Sequence, residues 1–216
     1  MIDFNALIEK YVYREFRAKQ IGRYYPSEVG SCLRKLWYTY KNPKEIDTEK
    51  RKIFEAGNIM HEFVTKVLKS GKSPGIKLIK TEMPVKTRFE DFIVSGRIDD
   101  VVLVESEGKL YIVEIKSVSY MKYIKKPQPH HMMQLQYYMY ASGVHNGLIL
   151  YVEKNTLKSK TFNVKYNEKV VDLAIKRFET LHESLKENKI PPPEGSKSKE
   201  KKWMCDYCEY REECLG

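Results

Sequence analysis

Long apolar runs are missing from this sequence. No stretch reaches the roughly 18 consecutive apolar residues that a membrane-crossing helix needs, so no helix is expected to span a membrane and no membrane partner is expected. The first residues, MIDFNALIEKYVYREF, carry acids and lack an apolar signal core. They read as the mature start of an intracellular, cytoplasmic protein. No internal repeat is visible, which argues against a solenoid. Acidic residues are in deficit: 29 Asp and Glu against 39 Lys and Arg give a formal net charge of +10. That balance favours a polyanionic partner, through attraction to phosphates and release of their counterions. A Lys-rich solvated surface of thermophilic type gives the same count. Tryptophan is scarce, at two residues, and cysteine nearly so, at four, whereas 16 tyrosines supply core, rim and potential stacking surface for bases.

What is present suits one elaborated globular domain: 216 residues, 42% hydrophobic and 31% charged. Phe4, Leu7, Ile8, Tyr11 and Phe16 fall near helical spacing and predict an amphipathic helix over 3–19, broken by Gly22 and Pro26. Ser27 and Ser31 are N-cap candidates ahead of a helix at 32–40, and another helix is expected at 50–69. The period then changes to two. Strands are expected at 76–86, 92–104 and 109–117, a helix at 129–141, strands at 147–153 and 160–165, and a helix at 168–187. Residues 190–202 read as an exposed basic linker, and the final WMCDYCEYREECLG is too short to fold without a metal. The expected class is α/β, a mixed sheet flanked by helices. The expected division is 1–49 as a helical N-terminal segment, 50–189 as the core and 190–216 as linker and C-terminal segment.

Glu114-Ile115-Lys116 lies inside an apolar run. On a strand Glu114 and Lys116 share a face, and charges there are costly to bury unless paired or bound to metal. Asp99 sits in the preceding strand, and a short turn at 105–108 can bring it beside Glu114. Two converging carboxylates repel each other unless a divalent cation neutralises them. A lysine alongside can orient a water or stabilise charge on a phosphate. A buried ion pair that only stabilises the sheet is the plainer explanation of the E-x-K triplet alone. Asp100 is adjacent to Asp99 but points the other way, and Glu82 is a further acid that also reads as a sheet-edge charge. His130 and His131 read as helix-start residues within reach of phosphate.

Cys205-x-x-Cys208, then Cys214, with Cys32 far upstream, is a complete thiolate set for zinc or for a [4Fe–4S] cluster. Disulfides fit an intracellular chain of this size less well. Either metal centre would close a loop of most of the chain. Nearby Lys197, Lys199, Lys201, Lys202 and Trp203, with Tyr207 and Tyr210, read either as a solvated basic stretch or as a guide for single-stranded DNA.

Taken in order, these residues resemble the restriction-endonuclease-like nucleases, whose core reads D…(D/E)-x-K: here Asp99, then Glu114-x-Lys116. His61 resembles the extra histidine of the RecB-like branch. Gln134 and Tyr138, four apart on one helical face, resemble its Q-x-x-x-Y motif, although Gln136 is a neighbouring alternative for the glutamine. The four cysteines resemble those of nucleases closed by an iron–sulfur staple. The combination is similar to the small CRISPR-associated RecB-like exonucleases of spacer acquisition, and it covers nearly the whole chain. The resemblance implies a restriction-endonuclease-like fold whose N- and C-terminal segments meet at a four-Cys [4Fe–4S] cluster. It implies Mg²⁺ or Mn²⁺ held by His61, Asp99, Glu114 and the Ile115 backbone carbonyl, with Lys116 acting on the attacking water. Gln134 and Tyr138 would contact DNA or brace the site. The implied partners are DNA, especially single-stranded, and the CRISPR integrase complex, with a homo-oligomer left open. Two other readings compete: a general DNA-repair nuclease, which would need a separate motor since helicase motifs are absent, and a non-catalytic DNA-binding or assembly subunit.

Overall fold

The period-two patterning over residues 76–118 closes as three long antiparallel strands, β2 (Ile76–Arg88), β3 (Ile93–Val104) and β4 (Lys109–Val118). In this computed structural model, which describes residues 1–196 and 201–215, they are half of a six-stranded sheet, with β2 at its edge. A two-residue strand β1 (Arg23–Tyr24) runs parallel to the start of β3. A helix, α4 (Pro129–Ser142), carries the chain from β4 to a parallel β5 (Asn146–Glu153), and β6 (Ser159–Lys165) returns antiparallel. The sheet is therefore mixed, as the alternation of strand and helix signals predicts.

One detail of register positions everything that follows. β2 occupies one edge of β3 along its length. On the other edge β1 takes Ile93 and Val94, and β4 takes Asp100 to Val104. Residues 95–99 of β3 have no pairing partner on that side, because β4 has turned away to pair with β5 from Ile112 onward. Asp99 stands at this fork.

Helices cover both faces. α3 (Thr48–Lys69) lays Val64 on Val102, Tyr111, Val113 and Ile115. Asp47 caps it, accepting from the Lys50 backbone N–H at 2.8 Å. α4 packs Leu135, Tyr138 and Met139 on Ile98, Ile112 and Ile149 of the opposite face. All six residues from Gln134 to Met139 are buried, since this crossover helix has neighbours on every side. Pro129 opens it and Gly143, at φ 73°, closes it in the left-handed conformation. α2 (Leu33–Lys41) and α5 (Glu168–Lys186) complete an aromatic cluster of Tyr24, Trp37, Tyr40, Phe92, Tyr137 and Phe178.

Two sequence expectations are corrected. The helix expected over 3–19 ends early, as α1 (Phe4–Val12). Tyr13 is extended at ψ 134°, and the Arg14 guanidinium donates back to the carbonyls of Tyr11 and Tyr13, satisfying groups that a continuing helix would have used. The stretch expected as an exposed linker is in part a packed strap. Pro191 and Gly195 are buried, and the Glu194 carboxylate accepts from Arg177 at 2.8 and 3.0 Å and from the Leu33 backbone N–H at 2.7 Å. Arg177 also donates to the carbonyls of Val29 and Ser31. Lys197 and Lys199 lie outside the described residues. The C-terminal stretch forms two short helices, α6 (Trp203–Asp206) and α7 (Arg211–Leu215).

Burial raises the Glu194 pKa, but the bonds from Arg177 and Leu33 outweigh it and bring it down to about 2. A depressed carboxyl stabilises the fold above its unfolded pKa of about 4.3, and that stability is lost as pH falls toward the folded value. Replacing Glu194 with Gln should therefore lower stability at pH 7 by about 2 kcal/mol, after allowing for the exposed rim of the pair. Urea unfolding across pH 7 to 2.5 should show the two proteins converging below pH of about 4.

Candidate active site

The fork between β3 and β4 brings Asp99 and Glu114 together. The Asp99 Oδ2 accepts from the Ile115 backbone N–H at 2.8 Å, taking the place of the missing strand pair. Its Oδ1 lies 3.4 Å from the His61 Nδ1 of α3. Burial lowers the His61 pKa, but the hydrogen bond and charge of Asp99 more than offset this, so it sits above the usual value.

Glu114 is 1% exposed. Its Oε1 accepts from the Lys116 ammonium at 2.7 Å, as expected for side chains two apart on one strand. Its Oε2 is buried with no protein partner. Burial pushes the Glu114 carboxyl up to about 7, Lys116 draws it back only in part, and Asp99 adds to the rise. Burial depresses Lys116, yet the charge and hydrogen bond of Glu114 outweigh it and raise its pKa, so it remains an ammonium. A second acceptor holds it, the Gln134 Oε1 at 3.1 Å from α4.

The neighbouring alternatives separate cleanly. Asp100 is fully buried and turns to α3, where its carboxylate accepts from the Thr65 hydroxyl at 2.9 Å. Gln136 accepts from the Asn167 N–H and donates to the Lys165 carbonyl, tying α4 to the β6–α5 connection. Tyr138 is buried near the carboxylates, and burial together with the charge of Glu114 raises its phenol. Glu82 is the residue opposite Asp99 in the β2–β3 ladder, between the pairs Thr81–Asp100 and Met83–Ile98, but that pair does not close. Glu82 holds a φ of 49°, uncommon for a non-glycine residue, and its carboxylate bonds Arg97 at 3.1 Å.

Tyr151, which no local sequence pattern marks, also belongs to this site. It stands opposite Lys116 in the parallel β4–β5 pairing. Its hydroxyl accepts from the Gln128 N–H at 2.9 Å and shares a hydrogen bond with His131 Nδ1 at 2.8 Å. Burial first, then the Lys116 charge, holds His131 neutral, down to about 2. Only the pairing of residue 116 with residue 151 links them, and local pattern does not encode it.

The four cysteines, from opposite ends of the chain, line one cavity of about 20 Å³. None is in a disulfide. Burial and then the charges of Cys32, Cys208 and Cys214 raise the Cys205 thiol. Thiolates gathered in this way call for a cation, which is the donor chemistry of a metal centre. Among the described residues, no three His, Cys, Asp or Glu side chains stand close enough to hold a metal ion as they are. At the fork this is because Glu114 is drawn to Lys116. The donor set still fits a divalent cation: a buried, unpartnered carboxylate oxygen, a second carboxylate and an imidazole.

The pattern of the PD-(D/E)XK nuclease superfamily matches residues 11–215. Among solved structures, the fold is similar to the crystal structure of SSO0001, with 20% identity and a TM-score of 0.69 over 99% of this chain and 96% of that one. It is also similar to an alkaline exonuclease (LHK-Exo) from Laribacter hongkongensis, at 13% identity and a TM-score of 0.54 over 78% of this chain and 90% of that one. A phage related exonuclease from Haemophilus somnus gives 14% identity and a TM-score of 0.51 over 76% and 93%. No curated protein matches the chain. A fork in a mixed sheet carries Asp99 and Glu114-x-Lys116, and the superfamily's pattern spans nearly every residue around it: the chain belongs to the PD-(D/E)XK nuclease superfamily.

Proposed function

We propose that this chain is a metal-dependent deoxyribonuclease, an exonuclease on single-stranded DNA ends that prepares DNA for CRISPR spacer acquisition. The observation that carries the nuclease reading is the buried Glu114 with one oxygen on Lys116 and the other unpartnered, beside Asp99 and His61. A non-catalytic subunit has no use for such an arrangement, which costs stability. His61, Asp99, Glu114 and the Ile115 carbonyl would hold Mg²⁺ or Mn²⁺. When bound, the ion supplies charge neutralisation for the phosphodiester and its attacking water.

The protein's own groups do the rest. Lys116, kept protonated by Glu114, would donate hydrogen bonds and orient the water. Gln134 fixes the ammonium, and Tyr138 braces the helix that carries Gln134. The single-strand preference is supported by a cavity of about 520 Å³ that runs from Asn58, one turn of α3 before His61, to the C-terminal segment at Glu209. Arg14, Arg17 and Lys50 line it beside Phe16 and Phe54, a cationic and aromatic wall suited to an unpaired strand. The CRISPR role rests on the sequence resemblance and on the cysteine set. We assign Cys32, Cys205, Cys208 and Cys214 to a [4Fe–4S] cluster that ties residues 1–49 and 190–216 to the core.

End-labelled single- and double-stranded DNA should be degraded with Mn²⁺ or Mg²⁺ and not with EDTA, the single strand faster. Glu114→Ala should lower the rate by roughly 10³-fold or more. Equal activity of the variant would sink the assignment.

The raised Glu114 pKa has a second consequence. A carboxyl raised in the fold contributes stability below its unfolded pKa of about 4.3 and loses it as pH climbs through the folded value. The metal-free protein should therefore lose stability as pH rises from about 4.3 to about 7, and Mn²⁺ should raise the melting temperature more at pH 8 than at pH 6. Calorimetry in two buffers of different ionisation enthalpy should detect proton release on Mn²⁺ binding near pH 6.5.

Cys32→Ala should lose iron, sulfide and brown colour together, with a fall in melting temperature on the order of 10 °C. Stoichiometric zinc in the wild type, without sulfide, would replace the cluster assignment by a zinc site.

A further inference from the structure

His130 is not used by the mechanism above, yet it is packed by segments from both ends of the chain. Gly30 precedes Cys32 by two residues, and a Cβ on Gly30 would overlap the Cα and Cβ of His130. The loop leading to Cys32 is thus pressed against the start of α4, with only a hydrogen between them. Trp203 precedes Cys205 by two residues, and its ring lies 5.6 Å from the His130 ring, tilted by 39°. Segments that lead into the cysteine cavity from the two ends of the chain therefore converge on one side chain.

From His130 the contacts lead inward. Its ring is 4.0 Å from that of His131, which bonds Tyr151, the strand neighbour of Lys116. One helical turn on from His130 and His131, Gln134 accepts from the Lys116 ammonium. Among the described residues, only Glu114 and Gln134 bond that ammonium. The first turn of α4 therefore sets one of the two contacts that aim Lys116. The turn has no side-chain cap of its own. Packing from outside has to hold it.

We propose that His130 is a positioning residue for the nuclease site, a packed ring through which the four-cysteine junction fixes the start of α4 and, through Gln134, the direction of Lys116. The functional consequence rests on the nuclease reading above; the mechanical coupling does not. The ring acts by its shape: its Nδ1 is buried and, among the described residues, has no hydrogen-bond partner. Small displacements matter here because a catalytic group moved by a fraction of an ångström loses alignment with the reacting phosphate.

The test compares wild type with His130→Ala, His130→Phe and Trp203→Ala. Trp203 is 47% exposed, so its replacement leaves the core intact. Single-turnover cleavage of single-stranded DNA with Mn²⁺ is measured at saturating protein, DNA affinity is measured in EDTA by anisotropy, and amide exchange is followed over residues 129–138. Both alanine variants should cut roughly tenfold more slowly, with affinity unchanged within about twofold and faster exchange in the first turn of α4. His130→Phe, which keeps the ring and loses both nitrogens, should stay within about twofold of wild type. Unchanged cleavage and unchanged exchange in both alanine variants would overturn the proposal. So would a phenylalanine variant as slow as the alanine one, since the nitrogens would then carry the effect. If wild type itself cuts nothing, the nuclease reading fails, and the exchange of residues 129–138 in Trp203→Ala still decides whether the coupling exists.

Discussion

A carboxylate sealed inside a sheet with half of its hydrogen-bonding capacity unused is the constraint around which this molecule is arranged. Glu114 is held by the strand pairing of β4 with β5, in the most buried row of the fold, and cannot escape to solvent by a change of rotamer alone. One lysine partly neutralises it. The divergence of β3 from β4 then places a second carboxylate, Asp99, where it adds repulsion. Such a centre is intrinsically unfavourable, and the surrounding packing over-determines it. Apolar side chains of α3 and α4 close both faces, and Asp100, the other acid at the fork, is satisfied by Thr65 and removed from the contest.

The second organising element is the contact between the ends of the chain. Arg177 and Glu194 form a partly buried pair that also bonds backbone groups at residues 29, 31 and 33 and the Lys201 ammonium. This network brings the Cys32 loop and the C-terminal segment to one place. The cysteine cavity therefore lies at a junction that protein contacts already define. The proposed metal centre would add to a closure that charge and hydrogen bonds have begun.

The strands, the crossover helix and the Glu114-x-Lys116 pair are legible because each rests on short-range pattern. Alternation marks β2 to β4, Pro129 and Gly143 bracket α4, and a charged pair within an apolar run marks Glu114 and Lys116. What escaped depends on contacts between distant residues. The spacing of Phe16 with Tyr11 looked helical, yet Arg14 folds back on the carbonyls that would have continued the helix. Residues 190–196 looked like a solvated linker because proline, glycine and charge are linker composition, and nothing local announces that Glu194 meets Arg177. Tyr151 and His131 could join the site only once β5 was known to run parallel to β4. Alternation says only that Asp99 and Asp100 face opposite ways; the preference for Asp99 rests on the family resemblance, and the geometry places Asp99 beside His61 and Asp100 on Thr65.

The Glu194 carboxylate that receives the Leu33 N–H lies 161 residues further along the chain. On a ribosome adding about 5–20 residues per second, α2 emerges with its first turn unsatisfied and waits on the order of ten to thirty seconds for its acceptor. The loop bearing Cys32 is uncommitted over the same interval. Synthesis therefore imposes a sequence of assembly: the sheet and its acidic centre can form first, and the junction of the two ends closes last. A chain released prematurely, short of Glu194, would carry the whole Asp99–Glu114–Lys116 arrangement with neither the clasp nor three of the four thiols. The clasp and the full thiol set are thus open only to a chain synthesised through residue 214.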